Sequence, residues 1–148
     1  MRVGEFMSTD VETISPEASG ADAWEMMRRR RIRHLVVVRG KSVVGILSDR
    51  DLGGRIGDSA RAGRTVAEMM TPSVATASAA TSVRQAANLL RGRTIGSLPV
   101  LDGTKLVGIV TTSDLLELLG RGAEMPNPRA RRAILTRRGP RRPAHSGS

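Results

Sequence analysis

The sequence predicts an α+β fold made of two tandem β-α-β-β-α units packed with pseudo-two-fold symmetry. Residues 3–52 align with residues 66–115 without a gap, and 19 of the 50 aligned pairs are identical. Within this repeat, GILSDRDL (45–52) and GIVTTSDL (108–115) place a glycine, two aliphatic residues, a hydroxyl residue, an aspartate and a leucine at the same spacing. Two copies are too few for a solenoid, so the repeat indicates internal symmetry within one module.

The strands of each unit are indicated by short apolar or alternating segments. The second and third strands of each copy are joined by the tight turns RGKS and DGTK, whose glycines tolerate positive φ. The expected strands are 11–15, 34–38 and 43–47 in the first copy, and 74–78, 97–101 and 106–110 in the second.

The helices of each unit are indicated by serine caps and by apolar stripes that end in arginine. Serine is a favoured N-cap, and cations suit the C-terminal end of a helix. A further helix is expected after each repeated aspartate, clearly at 114–119, whereas Gly53 and Gly54 weaken its counterpart. The expected capped helices are 21–30 after Ser19 and 83–92 after Ser82.

The charge divides the chain into a folded part and a basic tail. Residues 121–148 hold eight arginines and one glutamate, 8 − 1 = +7, out of a net charge of +10. We expect one unit at 1–55, a linker at 56–65, a second unit at 66–120, and a disordered tail at 121–148, because that tail is rich in arginine, proline and glycine.

Several classes of protein are disfavoured by composition. The chain has no cysteine, which removes disulfide and thiol chemistry, and its two histidines are too few for a histidine-rich metal site. No nucleophile and base stand in a catalytic pattern, and no apolar run is long enough to cross a membrane. We therefore expect a cytoplasmic protein that is not an enzyme, holds no metal and does not enter a membrane.

The repeated segment has the chemistry of a nucleotide site. Its strand delivers a hydroxyl, Ser48 or Thr111, to a helix N-terminus, where backbone N–H groups favour an anion. Three positions later, Asp51 or Asp114 can accept hydrogen bonds from the vicinal diol of a ribose. The alternative interpretation is that the same residues only cap a helix, since a first-turn acid stabilises a helix without a ligand.

The doubled unit resembles a CBS-domain pair, or Bateman module, of the stand-alone bacterial type. The resemblance spans residues 3 to about 119 and is carried by GILSDRD and GIVTTSD, with GEFMS, AEMMTP, the V-x-T strands and SLPV as further typical features. It implies a regulatory module without a covalent cofactor. Such modules bind adenosine nucleotides (AMP, ADP or ATP) or S-adenosylmethionine in clefts between the motifs, and transmit a change to a homodimer mate or protein partner.

The resemblance also implies two unequal clefts. Basic residues ahead of the second strand commonly reach phosphates in this family, and only the first copy has them there. The cleft expected to take a phosphorylated ligand comprises Thr13, Ile14, Arg33, His34, Thr111 and Asp114. The cleft expected to take a less charged ligand, or none, comprises Ser48, Asp51, Thr76 and Ser97, with Arg50 supplying a local positive charge. As alternatives, Arg33 ends a charge run of the kind that usually faces solvent, and His34 can be a partly buried imidazole.

The tail offers a function of a different class. Arginine-rich disordered segments bind phosphate backbones in a salt-dependent manner, so nucleic-acid binding or a protein-interaction scaffold is the alternative hypothesis. The tail has no aromatic residue for base stacking, so sequence-specific binding is not expected. A solubilising extension is the simplest interpretation of the same residues.

Overall fold

The computed structural model of the chain describes residues 1–72, 75–93 and 95–123. The strands are β1 (Thr13–Ile14), β2 (His34–Arg39), β3 (Ser42–Ser48), β4 (Thr71–Pro72), β5 (Ser97–Asp102) and β6 (Lys105–Thr111). The α-helices are α1 (Gly20–Arg30), α2 (Asp58–Arg61), α3 (Val66–Met69), α4 (Val83–Arg93) and α5 (Thr112–Leu118). Short 3₁₀ turns lie at Val3–Glu5 and Gly54–Ile56, and a π-helical turn at Leu119–Ala123 follows α5.

The α+β architecture and the two tandem units are confirmed. Both serine caps form as expected, because Ser19 and Ser82 accept hydrogen bonds from the backbone N–H groups three residues later, each at 3.0 Å. The first strand of each unit is shorter than expected. It is reduced to β1 in the first copy, and among the described residues of the second copy it consists of one parallel bridge between Ala77 and Val100.

The two copies differ after the repeated aspartate. In the second copy α5 begins immediately after β6, as expected. In the first copy the chain instead turns through Gly53 and Gly54, whose φ values of 90° and 66° lie in the left-handed region that interrupts a helix. The glycine pair therefore replaces the helix with a turn and a 3₁₀ segment.

The sheets are completed by an exchange of segments between the two units. The first sheet has the order β1-β2-β3-β4, and β4 comes from the start of the second unit. The second sheet contains the β5–β6 hairpin, and residue Ser8, from the start of the first unit, pairs with Ile109 of β6. We call residues 2–8 and 65–72 the exchanged segments, because each joins the unit that it does not belong to in sequence.

Each hydrophobic core also contains a residue from an exchanged segment. Val3 is fully buried in the core built on α4, β5 and β6, and Val66 is fully buried in the core built on α1, β2 and β3. Around them pack mainly aliphatic side chains, as the near absence of aromatic residues requires. Neither unit would keep a complete core without the other.

The repeated glycine of each copy makes this exchange possible. A Cβ atom on Gly45 would lie 2.9 Å from the carbonyl oxygen of Thr71 in β4. A Cβ atom on Gly108 would lie 2.8 Å from the carbonyl oxygen of Ser8. Glycine within a strand often marks a close approach of another backbone, and here that backbone is the exchanged segment.

The linker between the units is anchored by a buried arginine. Arg61 is only 3% exposed, and its guanidinium donates to the carbonyl oxygens of Leu52 and Gly54, both at 2.8 Å. It also pairs with Asp58 and lies 4.1 Å from the centre of the Trp24 ring on α1. These contacts hold residues 56–65, the expected linker, in place against the first unit.

Two expectations lie partly or wholly outside the described residues. The expected strand 74–78 includes Val74, which lies outside the described residues. The expected basic tail lies outside them from residue 124 onward. Among the helices that are described, none is both long and apolar enough to cross a membrane.

The close approach at the repeated glycines generates a stability prediction. We expect Gly108→Ala to lower the free energy of unfolding by about 1–3 kcal/mol, because the added methyl overpacks against the backbone of Ser8. Urea denaturation followed by circular dichroism measures this change.

The matched control is Gly92→Ala in α4, where a Cβ atom would meet nothing within 4 Å. There we expect the free energy of unfolding to rise by about 0.5–1 kcal/mol, since alanine is the better helix former. Equal effects of the two substitutions would contradict the role assigned to Gly108.

Candidate functional site

The repeated hydroxyl and aspartate of each motif hydrogen-bond to each other's backbone. The Asp51 carboxylate accepts from the Ser48 N–H at 2.9 Å, and the Ser48 hydroxyl oxygen accepts from the Asp51 N–H at 3.1 Å. Thr111 and Asp114 form the same pair of bonds at 2.8 and 3.1 Å. This reciprocal arrangement is a capping box. It rigidly orients both side chains, and since each hydroxyl acts here as acceptor, its proton is still available for another group.

A cleft of about 690 Å³ lies between the two motifs, within the size range of small-molecule sites. It opens where β2 and β5 begin and where β3 and β6 end. Its lining comprises Arg33, His34, Ile46, Leu47, Ser48, Asp49, Arg50, Asp51, Thr71, Leu90, Arg91, Ile95, Gly96, Ser97, Thr112 and Ser113.

The two motifs contribute equivalent positions to this cleft, which therefore lies across the pseudo-two-fold axis. The chemistry of the equivalent residues differs, because the first motif presents charged side chains and an imidazole where the second presents hydroxyl groups or glycine. The equivalent pairs are Arg33 and Gly96, His34 and Ser97, Asp49 and Thr112, and Arg50 and Ser113.

His34 makes a contact between the motifs inside the cleft. Its Nε2 atom would lie 3.2 Å from a Cβ atom on Gly96, so glycine at that position leaves room for the imidazole. Burial lowers the pKa of His34 below its ordinary value, an effect partly opposed by the carboxylates of Asp49 and Asp51 and reinforced by Arg33. The imidazole is therefore mainly neutral near pH 7 when the cleft holds no anion.

Ser97 presents a buried hydroxyl group to the cleft. The residue is fully buried, and its Oγ atom has no hydrogen-bond partner within the part of the chain that the structure describes. A buried hydroxyl without a partner costs free energy, so it marks a place where a polar group of a ligand would be stabilised.

Six of the eleven residues singled out in the sequence line this cleft together, namely Arg33, His34, Ser48, Arg50, Asp51 and Ser97. The other five residues, all of them described, are not part of its lining: Thr13, Ile14, Thr76, Thr111 and Asp114.

The grouping of these residues differs from the expected one. Arg33 and His34 were expected beside Asp114, but they share the cleft with Asp51. The register of the β2–β3 hairpin is the reason, because His34 pairs directly with Ser48. Arg33 also accepts a backbone hydrogen bond from Asp49 through its carbonyl oxygen, and its Nε atom lies 3.8 Å from the Asp49 carboxylate.

Sequence reasoning missed several residues of the cleft. Thr112 and Ser113 could have been found, because the repeat aligns them with Asp49 and Arg50. Arg91 on α4 had no such signal, because the repeat aligns it with Arg28 of α1, which does not line the cleft. Only the packing of the helices distinguishes these two arginines.

No group of three or more histidine, cysteine, aspartate or glutamate side chains suited to hold a metal ion occurs among the described residues. The cleft offers guanidinium groups, an imidazole, hydroxyl groups and the carboxylates of Asp49 and Asp51, beside an apolar wall formed by Ile46, Leu47, Leu90 and Ile95.

Comparison with protein-family models matches the CBS domain twice, at residues 3–56 and 66–121. Among relatives, the CBS domain-containing protein YhcV of Bacillus subtilis is 32% identical over 114 residues, which cover 76% of this chain and 81% of YhcV. Inosine-5'-monophosphate dehydrogenase of Thermoplasma acidophilum is 34% identical over 108 residues, 72% of this chain but only 21% of that enzyme. The chain thus corresponds to about a fifth of the dehydrogenase.

Solved structures show the same fold. CBSX2 in complex with AMP superposes with a TM-score of 0.65 at 30% identity, covering 80% of this chain and 95% of that one. The CBS domain pair of protein MJ0100, in complex with 5'-methylthioadenosine and S-adenosyl-L-methionine, superposes with a TM-score of 0.72 at 29% identity, covering 81% and 96%. The resemblance inferred from the repeat is confirmed, and the chain belongs to the CBS-domain family as a pair of CBS motifs.

Proposed function

We propose that the chain is a regulatory module that senses an adenosine nucleotide (AMP, ADP or ATP) or S-adenosylmethionine in the cleft between its two CBS motifs. The observation that carries the proposal is the buried hydroxyl of Ser97, which has no partner among the described residues and faces the cleft of Asp51. The solved CBS pairs that contain AMP, or methylthioadenosine and S-adenosylmethionine, support this class of ligand.

The cleft has a group suited to each part of such a ligand. The apolar side chains of Ile46 and Ile95 suit the faces of a base, and the Asp51 carboxylate suits the ribose diol. The Ser48 hydroxyl can donate its proton to a phosphate. The Arg33 and Arg50 guanidinium groups bind phosphate oxygens through two parallel hydrogen bonds.

A ligand in this cleft contacts both motifs at once. It shifts the arrangement of the motifs to the extent that it binds one arrangement more tightly than another. We propose that this shift is the output, passed to a dimer mate or to a protein partner. The exchanged segments connect each motif to the sheet of the other, so a change at the cleft would reach both sheets.

The proposed role is regulatory and not catalytic. The matching enzymes, inosine-5'-monophosphate dehydrogenase and homoserine O-acetyltransferase, correspond to this chain over only 21% and 24% of their length in two of the relatives. The shared part is the CBS region of those larger enzymes, so their reactions are not transferred to this chain.

Two further expectations stay predictions. Thr13, Ile14, Thr76, Thr111 and Asp114 are retained as candidates for a second ligand site. Association as a homodimer is retained as well, and the CBS-CP12 protein of bloom-forming cyanobacteria, which is hexameric, shows that a protein with this fold can form an oligomer.

The aspartates provide a direct test of the cleft. We expect Asp51→Asn to weaken binding of AMP by about tenfold, because the charged partner of the ribose is lost. Asp114→Asn is the matched control, since it makes the same change in an equivalent capping box that does not line this cleft. Isothermal titration calorimetry of the full chain measures both dissociation constants.

Asparagine keeps a side-chain oxygen that can accept the capping hydrogen bond, so both variants should retain their fold, which thermal unfolding checks. If Asp114→Asn abolishes binding and Asp51→Asn leaves it intact, the ligand occupies the site expected from the sequence and not this cleft. If AMP, ADP, ATP and S-adenosylmethionine all fail to bind the wild-type chain, the proposed function is wrong.

His34 makes binding of a phosphorylated ligand depend on pH. Burial lowers the pKa of the free imidazole, and an anion beside it raises that pKa again, so binding takes up a proton. Affinity should therefore fall as the pH rises from the pKa of the free state through that of the bound state. Calorimetry near pH 6.5, in two buffers of different ionisation enthalpy, measures the proton uptake.

The His34→Asn variant is the control for this pH dependence. Comparison with the variant separates the proton uptake of His34 from the ionisation of the phosphate itself. The second pKa of the phosphate is about 6, and its ionisation changes the affinity with pH in the opposite direction. We expect the variant to lose the proton uptake attributed to the imidazole. Equal proton uptake by the wild type and the variant would show that His34 does not respond to the ligand.

A further inference from the structure

The cleft carries positive charge on two walls that belong to different motifs. Arg50 lies in the turn after β3 of the first motif, and Arg91 lies on the last turn of α4 in the second. Among the described residues neither arginine forms an ion pair, whereas Arg33 is partly compensated by Asp49. Arg33 and Arg50 share the wall of the first motif with the carboxylates of Asp49 and Asp51, so Arg91 on the opposite wall gives the cleft its net positive charge.

Arg91 breaks the symmetry of the module. Its counterpart in the repeat, Arg28, occupies the same position on α1, but only Arg91 lines the cleft. The Nη2 atom of Arg91 donates to the Asn88 side-chain oxygen at 3.0 Å, which limits the directions in which the guanidinium can point. The side chain is solvent-exposed, so it can move onto a ligand without breaking a buried contact.

The wall beside Arg91 is rich in hydroxyl groups. Ser97 is fully buried there without a hydrogen-bond partner among the described residues, and Thr112 and Ser113 line the same side. Ser97 and Ser113 can donate hydrogen bonds to phosphate oxygens, whereas the Thr112 hydroxyl already donates to the Gly96 carbonyl oxygen at 3.5 Å. A single phosphate held by the Ser48 turn and Arg50 would satisfy the wall of the first motif only. A chain of phosphates would also reach the hydroxyl groups and Arg91 on the opposite wall.

We propose that the cleft selects a nucleotide with two or more phosphates, and that Arg91 is the residue that distinguishes it from a nucleoside monophosphate. Arg50 holds one phosphate group, and Arg91 together with Ser97 holds another. S-adenosylmethionine is disfavoured in this cleft because its sulfonium and ammonium groups would face Arg50 and Arg91, neither of which forms an ion pair among the described residues. This inference deepens the proposed function and rests on it.

The test compares ligands that differ only in the number of phosphates. The full chain is titrated by calorimetry with AMP, ADP and ATP, without magnesium so that the phosphate charge is not masked. We expect ADP and ATP to bind the wild type more tightly than AMP. We expect Arg91→Gln to weaken the binding of ADP and ATP by about tenfold, which is the effect of one charged hydrogen bond. The same substitution should change the affinity for AMP by less than about twofold.

The control is Arg28→Gln, which removes the same charge at the symmetry-equivalent position outside the cleft. It should leave the affinity for all three nucleotides unchanged. Both arginines lie on exposed helix surfaces, so neither variant should impair folding, and thermal unfolding verifies this. If Arg28→Gln weakens ADP as much as Arg91→Gln does, the effect is one of net charge and the assignment of Arg91 is wrong.

The outcomes also separate this inference from the proposed function. The proposed selection for phosphate number is wrong if AMP binds and ADP and ATP bind no more tightly. It is also wrong if Arg91→Gln weakens the binding of AMP as much as that of ADP. In both cases the nucleotide-sensing function stands. If no nucleotide binds the wild-type chain, both fail. If S-adenosylmethionine binds in competition with ADP and with equal affinity, the charge argument is overturned.

Discussion

The fold depends on the exchange of segments between the two CBS motifs. Residues 2–8 complete the sheet and core of the second motif, and residues 65–72 complete those of the first. The exchange requires backbone to approach backbone at Gly45 and Gly108, where no side chain can fit. Because Val3 and Val66 are buried in the core of the opposite motif, the motifs are expected to fold as one cooperative unit. The exchange thereby brings the two motifs together around the cleft between them.

Symmetry and its violation together explain the site. The pseudo-two-fold axis brings the starts of β2 and β5 and the turns after β3 and β6 to one place, so equivalent positions face the same cleft. Divergence of the two copies then gives that cleft two different walls, one with Arg33, His34 and Arg50 and one with Ser97, Thr112 and Ser113. A symmetric pair of identical motifs would present like charges to one another across the axis, at a cost in free energy. Hydroxyl groups and a glycine in one copy remove this repulsion, and Arg91 gives the cleft its net positive charge for an anionic ligand.

Much of the fold could be predicted from local patterns. Ser19 and Ser82 cap their helices because capping depends on residues only three positions apart. Gly53 and Gly54 end the regular structure after Asp51 for an equally local reason. Six of the residues singled out share the cleft, and the hairpin register places His34 beside Ser48 and so groups Arg33 and His34 with Asp51. That grouping depends on the pairing of strands, which the spacing of residues in the repeat does not give.

The sequence by itself determined the doubled unit, its two hairpins, the serine caps of α1 and α4, and the type of chemistry in the repeated turn. These properties depend on short-range spacing, which a single chain displays directly. Only the tertiary structure decided which segments exchange, that Arg61 anchors the linker, and that Arg91 and not Arg28 reaches the cleft. The repeat places an arginine at the same position of both helices, so that position alone does not tell which arginine reaches the cleft. Their packing around an imperfect two-fold axis places one arginine at the cleft and leaves the other outside it.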